Sequence, residues 1–186
     1  MASKRTLLST SETRREAVIR SAIAVFAASG YLGTPITDVA KHARISPAYV
    51  FKLFPSKEEL FVAALERCFE LIQSALASGA ESSADQSPEA VLFAMGGAYA
   101  ALIANRDLLL LQVHAQSAAN VPEIAKAFRK GLQRVTSFVK SRSKAPDEAV
   151  QRFMAYGQLC HLITTLGLDE DKAAWARILP KGIRHP

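Results

Sequence analysis

Residues 34–60 read TPITDVAKHARISPAYVFKLFPSKEEL, and this stretch decides the fold. Ile36, Val39, Ala40 and Ala43 recur at i, i+3, i+4 and i+7, the spacing of one helix face. Arg44-Ile45-Ser46-Pro47 interrupts that pattern. Ser46 can cap a following helix through its hydroxyl, and Pro47 suits the first helical position, where a missing N–H costs nothing. The second helix is predicted over about 47–54, with Val50, Leu53 and Phe54 buried and Ala48, Tyr49, Phe51 and Lys52 turned outward. Ser56-Lys57-Glu58-Glu59 has the spacing of a capping box and opens a longer helix. Two short helices joined by a tight turn are the unit that sets a recognition helix in the DNA major groove.

Charge points the same way, independently of the motif. Residues 1–57 hold nine Lys/Arg against three acids, Glu12, Glu16 and Asp38, whereas the remainder is balanced. The formal excess of +6 therefore sits wholly on the segment carrying the two short helices. A basic first third on a neutral body fits a nucleic-acid-binding head, the bland alternative being a basic tail that aids solubility.

The chain of 186 residues is long enough for a small head, residues 1–57, and a body of ordinary domain size, residues 58–186. Hydrophobic content of 49% with 8% aromatics suits an Ala/Leu-rich helical protein. No window carries 18 uninterrupted apolar residues, so no membrane span is expected, and the first residues lack the apolar core of a signal peptide. Cys68 and Cys160 fall inside helical patterns and read as buried free thiols. A cytoplasmic location is the expectation.

The helical pattern starts at about 11–29, with Ile19, Ala22, Ile23, Phe26 and Ala27 on its apolar stripe and Gly30 as a left-handed terminator. Thr34 and Pro35 are expected as cap and first residue of the next helix. These three helices can share a core of Ile23, Phe26, Ile36, Val39, Ile45, Val50 and Phe54. A helix over about 57–78 carries Leu60, Ala64, Leu65, Phe69 and Ile72 on one face and reaches from head to body. Residues 79–87 read as a loop. Helices follow at about 88–104, 106–118, 121–142 and 146–168, with a short one near 171–179. No β-branched run with period two occurs, so the fold expected is all-α: a three-helix helix-turn-helix head and a helical bundle for ligand binding and dimerisation.

The stretch from Phe26 to Leu60 resembles the DNA-binding domain of TetR-family transcriptional regulators. The likeness rests on Phe26-Ala27 with Gly30-Tyr31, Thr34, Asp38-Val39-Ala40, Ser46, and Phe54-Pro-Ser-Lys-Glu-Glu-Leu60. It covers about 50 residues; the other 130 agree only in length, helicity and neutrality. Two positions depart from the family pattern. The turn glycine is Arg44, and the phosphate-contacting tyrosine late in the recognition helix is Phe51, which has no hydroxyl to donate.

Phosphate contacts position such a helix and base-edge contacts select sequence. Pro47, Ala48 and Tyr49 are the candidates for base edges, where apolar atoms can meet thymine methyls and the Tyr49 hydroxyl can bond a base or phosphate. Lys52 and Phe51 lie toward the backbone. Lys57 opens a helix whose free N–H groups can join its ammonium on one phosphate. Thr34, Thr37, Arg44 and Ser46 complete the DNA-binding candidates. Lys4, Arg5, Arg14 and Arg15 fit an arm along the duplex, Lys4 and Arg5 equally an idle tail.

The resemblance implies repression from a palindromic operator, relieved by a small lipophilic or aromatic molecule among the helices that follow the head. Phe69, Met95, Tyr99, Val113, His114, Phe128 and Phe138 are candidate pocket residues, though such spacing also describes plain core. Gly96-Gly97 inside a helix implies either close packing or room beside Tyr99. Homodimerisation is expected through helix 146–168 and the short helix after it, with Ala155 and Gly157 permitting close approach and Phe153, Leu159, Leu162 and Ile163 giving apolar area. His114 and His161 lack partners at metal-ligand spacing, and no catalytic motif or cofactor site is recognisable, so neither metal, cofactor nor enzyme is expected. The rival readings are a helix-turn-helix protein without effector, architectural in role, and an adaptor that binds another protein.

Overall fold

Eight α-helices and one 3-10 turn make up residues 10–183, the part of the chain that the computed structural model describes; no strand occurs among them. They are α1 (Thr10–Gly33), α2 (Ile36–Ala43), α3 (Pro47–Leu53), α4 (Lys57–Ser82), α5 (Pro88–Ile103), α6 (Arg106–Ser117), α7 (Pro122–Ser143) and α8 (Asp147–Leu166), with the 3-10 turn at Ala176–Ile178. No helix among the described residues is long and apolar enough to cross a membrane. The expected arm residues Lys4 and Arg5 lie outside the described residues.

Local chemistry explains most boundaries. Pro47, Pro88 and Pro122 each stand in the first turn of a helix, where no N–H is needed. Ser46 accepts from the Tyr49 N–H at 3.2 Å and Ser56 from the Glu59 N–H at 3.1 Å, satisfying donors that α3 and α4 leave free. Arg44 ends α2 in the left-handed conformation (φ 56, ψ 44), so a side chain occupies the turn where glycine would be unstrained. Two expectations need correction. Thr34 does not cap α2: it is 1% exposed, and its hydroxyl donates to the Gly30 carbonyl at 2.7 Å, closing the turn behind α1. Pro35, not Thr34, holds the cap position. Residues 79–82 belong to α4 rather than to a loop, because Gly79 and Ala80 pack inside the bundle.

The three short-range helices close on Ile23, Phe26, Ile36, Val39, Val50 and Phe54, with Ile45 only partly covered. Phe61 of α4 completes this core, its ring edge-on to Phe26 (centroids 4.8 Å apart) and to Tyr31 (5.4 Å). Burying a ring of that size contributes roughly 1.5–3 kcal/mol. One hydrophobic cluster continues from there along Leu65, Phe69, Ile72 and Leu76 into the body. α4 packs against α5, α7 and α1, while α1 also lies along α6. The head is thus clamped between the first turns of α4 and the length of α6.

Candidate nucleic-acid interface and ligand cavity

α3 offers its outer face to solvent. Pro47, Ala48 and Lys52 are exposed, Tyr49 is half-buried, and Phe51 is 48% exposed, a large apolar ring left in water. Thr37, Arg44 and Ser46 are exposed beside them, and Lys57 is half-buried at the amino end of α4. The Arg14 guanidinium stands 5.6 Å from the Tyr49 ring centroid, and the Lys57 ammonium 4.6 Å from that of Tyr31. Tyr31 in turn donates its hydroxyl to the Glu58 carboxylate. Burial and that carboxylate push the Tyr31 phenol up to about 12, while the same hydrogen bond holds Glu58 below its ordinary value.

Arg15 is committed elsewhere. Its Nη1 donates to the Leu53 carbonyl at 2.8 Å and its guanidinium covers Phe54 at 4.0 Å from the centroid. It ties α1 to the end of α3 and is no part of a free arm.

The body holds a cavity of about 270 Å³, half open to solvent, between α4, α5, α6, α7 and α8. Phe69, Ile72 and Leu76 come from α4, Leu92, Gly96 and Tyr99 from α5, Leu132 and Val135 from α7, and Phe153, Gly157 and Cys160 from α8. Gln112 of α6 is the polar wall; it is 4% exposed, and its Nε2 donates to the Leu108 carbonyl at 3.1 Å. Tyr99 bonds His161 Nε2 through its hydroxyl at 2.7 Å. Burial pushes the Tyr99 phenol up and the Cys160 thiol up to about 11, and pulls His161 down to about 4, so all three are neutral near pH 7. Among the described residues no cluster of His, Cys, Asp or Glu is arranged to hold a metal ion.

Residues 18–64 match the family described as bacterial regulatory proteins, tetR family. The match falls on the head and the first turns of α4. Over 55 residues it is 33% identical to IcaR of Staphylococcus epidermidis, a negative transcriptional regulator of the biofilm operon icaADBC, a match spanning 30% of each chain. The stretch shared with that relative is thus under a third of the relative's length. The fold as a whole resembles FadR from Bacillus subtilis, solved with stearoyl-CoA, with a TM-score of 0.60 and 16% identity over 91% of this chain and 99% of that one. It also resembles EbrR, a multidrug binding protein solved with proflavin, with a TM-score of 0.60 and 21% identity over 89% and 96%.

The expected DNA candidates share one end of the molecule, except Thr34, whose buried hydroxyl cannot reach a phosphate. The pocket candidates divide. Phe69 and Tyr99 line the cavity. Met95 is wholly buried core, Phe138 packs against the same core, and Phe128 stands edge-on behind Phe69 with centroids 5.4 Å apart. Val113 packs with Ile103, Leu109 and Cys160. His114 faces the other way: its Nε2 donates to the Ala27 carbonyl of α1 at 3.2 Å. Gly96 does leave room, since only Phe153 comes within 4 Å of a Cβ placed there, at 3.8 Å. On α8, Ile163 is fully buried and Phe153 faces the cavity, which removes both from the expected dimer face. The exposed apolar positions there are Ala155, Tyr156, Leu162 and Leu166, with Leu159 half-covered. The place of Gln112 in the cavity wall and the clasp of Arg15 on α3, in place of the expected arm, have no local signature in the sequence.

Proposed function

We propose that this chain is a sequence-specific DNA-binding transcriptional regulator, acting as a homodimeric repressor that a small lipophilic or aromatic ligand releases from a palindromic operator. Residues 1–57 are the DNA-binding head and residues 58–186 the effector-binding and dimerisation body. The observation that carries the reading is the capped, outward-facing α3 with Tyr49, Phe51 and Lys52 beside Arg14, Arg44 and Lys57, on a head whose own acids are few. Pro47, Ala48 and Tyr49 approach base edges; Thr37, Arg44, Ser46, Lys52 and Lys57 hold phosphates, and Phe51 packs on the sugar–phosphate backbone. IcaR's role as a negative regulator supports repression, and the ligands of FadR and EbrR, a long acyl chain on CoA and a fused-ring dye, support a body that takes small molecules with large apolar or aromatic parts.

Two copies meet through α8, whose Ala155, Leu159, Leu162 and Leu166 recur at i, i+4, i+7 and i+11 and form one apolar stripe. Pairing places two heads on a two-fold axis, which sets the half-site spacing near one helical turn or a multiple. A cytoplasmic location follows from the DNA partner. Release requires the ligand to bind two conformations with different affinity. α6 is the element able to transmit that difference, because it presents Gln112 to the cavity and His114 to α1, two residues apart.

Selection of bound duplex from random sequence, followed by anisotropy titrations at several salt concentrations, tests the reading. Lys57→Ala is expected to weaken selected and random duplexes alike and to lower the salt slope by about one. Tyr49→Ala is expected to change preference among sequences as well. If Tyr49→Ala leaves both affinities unchanged, α3 does not enter the groove as assigned.

A further inference from the structure

The cavity wall carries information about what fills it. Its two charged lining residues, Glu89 and Arg152, are opposite in sign and both exposed, so they mark the mouth rather than the floor. Deeper in, the polar groups are the amide of Gln112, the phenol of Tyr99 and the thiol of Cys160, none of them ionised near pH 7. A charged group brought to that depth loses its hydration and meets no counter-charge. Gln112 is held in one orientation: one N–H of Nε2 donates to the Leu108 carbonyl of its own helix and the side chain also bonds the Tyr99 phenol, which leaves Oε1, an acceptor, for the cavity. The space of about 270 Å³ opens to solvent at that mouth; filled at the density of a protein interior, it seats about fifteen non-hydrogen atoms, and a ligand can extend outward from it.

We infer that the cavity takes an uncharged ring system whose single hydroxyl or N–H donates to Gln112 Oε1. The inference rests on the proposed ligand-binding role of the body and narrows it to a chemical class. A donor on the ligand satisfies an acceptor that a wholly apolar ligand would cover and leave unpaired. An ether or ester oxygen at the same place sets two acceptors against each other. Ionised analogues are excluded by the neutral floor, whichever sign they carry.

Calorimetric titration of the full chain with four probes of one shape tests this: 2-naphthol, 2-methoxynaphthalene, 2-naphthoate and 2-naphthylmethylammonium. The expected order puts 2-naphthol at least tenfold tighter than each of the other three. Gln112→Leu is expected to bring 2-naphthol down to the level of its methyl ether while leaving the ether's affinity unchanged, which shows that the cavity has kept its shape. Equal or tighter binding of either ion overturns the neutral-ligand inference yet leaves a ligand-binding body standing. An unchanged preference for 2-naphthol in Gln112→Leu overturns the role of Gln112. Failure of all four probes to bind the parent chain overturns the cavity as a ligand site altogether.

Discussion

Gly30→Ala is expected to destabilise the protein by about 2–4 kcal/mol, the sum of a backbone penalty and a collision. Gly30 interrupts α1 with φ 69 and ψ 176, a combination that residues with a Cβ rarely adopt. A Cβ there would also stand 2.9 Å from Nδ1 of His114, and that ring is held in place by its bond to the Ala27 carbonyl. His114 cannot step aside without giving up about 1 kcal/mol of hydrogen bonding. For a chain of this length the loss corresponds to a fall in Tm of roughly 5–15 °C. Urea unfolding of Gly30→Ala, His114→Ala and the double variant separates the two contributions. The double variant is expected to recover the collision and retain the backbone cost. If Gly30→Ala alone lies within about 0.5 kcal/mol of the parent, the joint between α1 and α6 is not as described.

That joint has a functional reading as well. α1 belongs to the head and α6 borders the cavity, so His114 stands where motion of one would be felt by the other. Nothing about residues 105–120 taken alone reveals this. His114 sits in an amphipathic stretch, and a histidine on such a face suits a pocket wall equally well; only the crossing of α6 against α1 decides which neighbour it meets. The same limit explains the other errors. Ser46, Pro47 and Ser56 were legible because a cap acts within three residues of itself. Thr34 has the same local appearance, but the kink at Gly30 turns its hydroxyl inward to a carbonyl four residues back. On α8, Ile163 and Leu162 are indistinguishable as apolar side chains, and helix phase against α6 and α7 buries the first while exposing the second. A cavity is harder still, since Phe69 and Met95 both read as large apolar side chains on a helix. Which of them borders empty space depends on how four other helices fail to fill it.

Acidification is expected to weaken the fold through His161, by about 2 kcal/mol between pH 7 and pH 5. The ring is 4% exposed, and burial draws its pKa to about 4, against about 6.5 for a histidine in an unfolded chain. Between those values the unfolded chain binds a proton that the folded one refuses, so stability falls as the pH drops through that window. The geometry shows why protonation is refused. Nε2 is engaged with the Tyr99 hydroxyl, and Nδ1 is buried with no hydrogen-bond partner, so a charged ring would carry an N–H with nothing to accept it. The ionisable groups around it, Tyr99 and Cys160, are themselves uncharged and offer no compensation. Carboxylates whose pKa is lowered in the fold, such as Glu58, lose their contribution only as the pH falls below the ordinary carboxylate range, so the two effects separate on the pH axis. His161→Gln retains a hydrogen-bonding group for Tyr99 and cannot be protonated. Its unfolding free energy is expected to be nearly flat from pH 7 to pH 5, where the parent's falls. Parallel curves for the two proteins across that interval would mean that His161 accepts a proton in the folded state without cost, contrary to its surroundings.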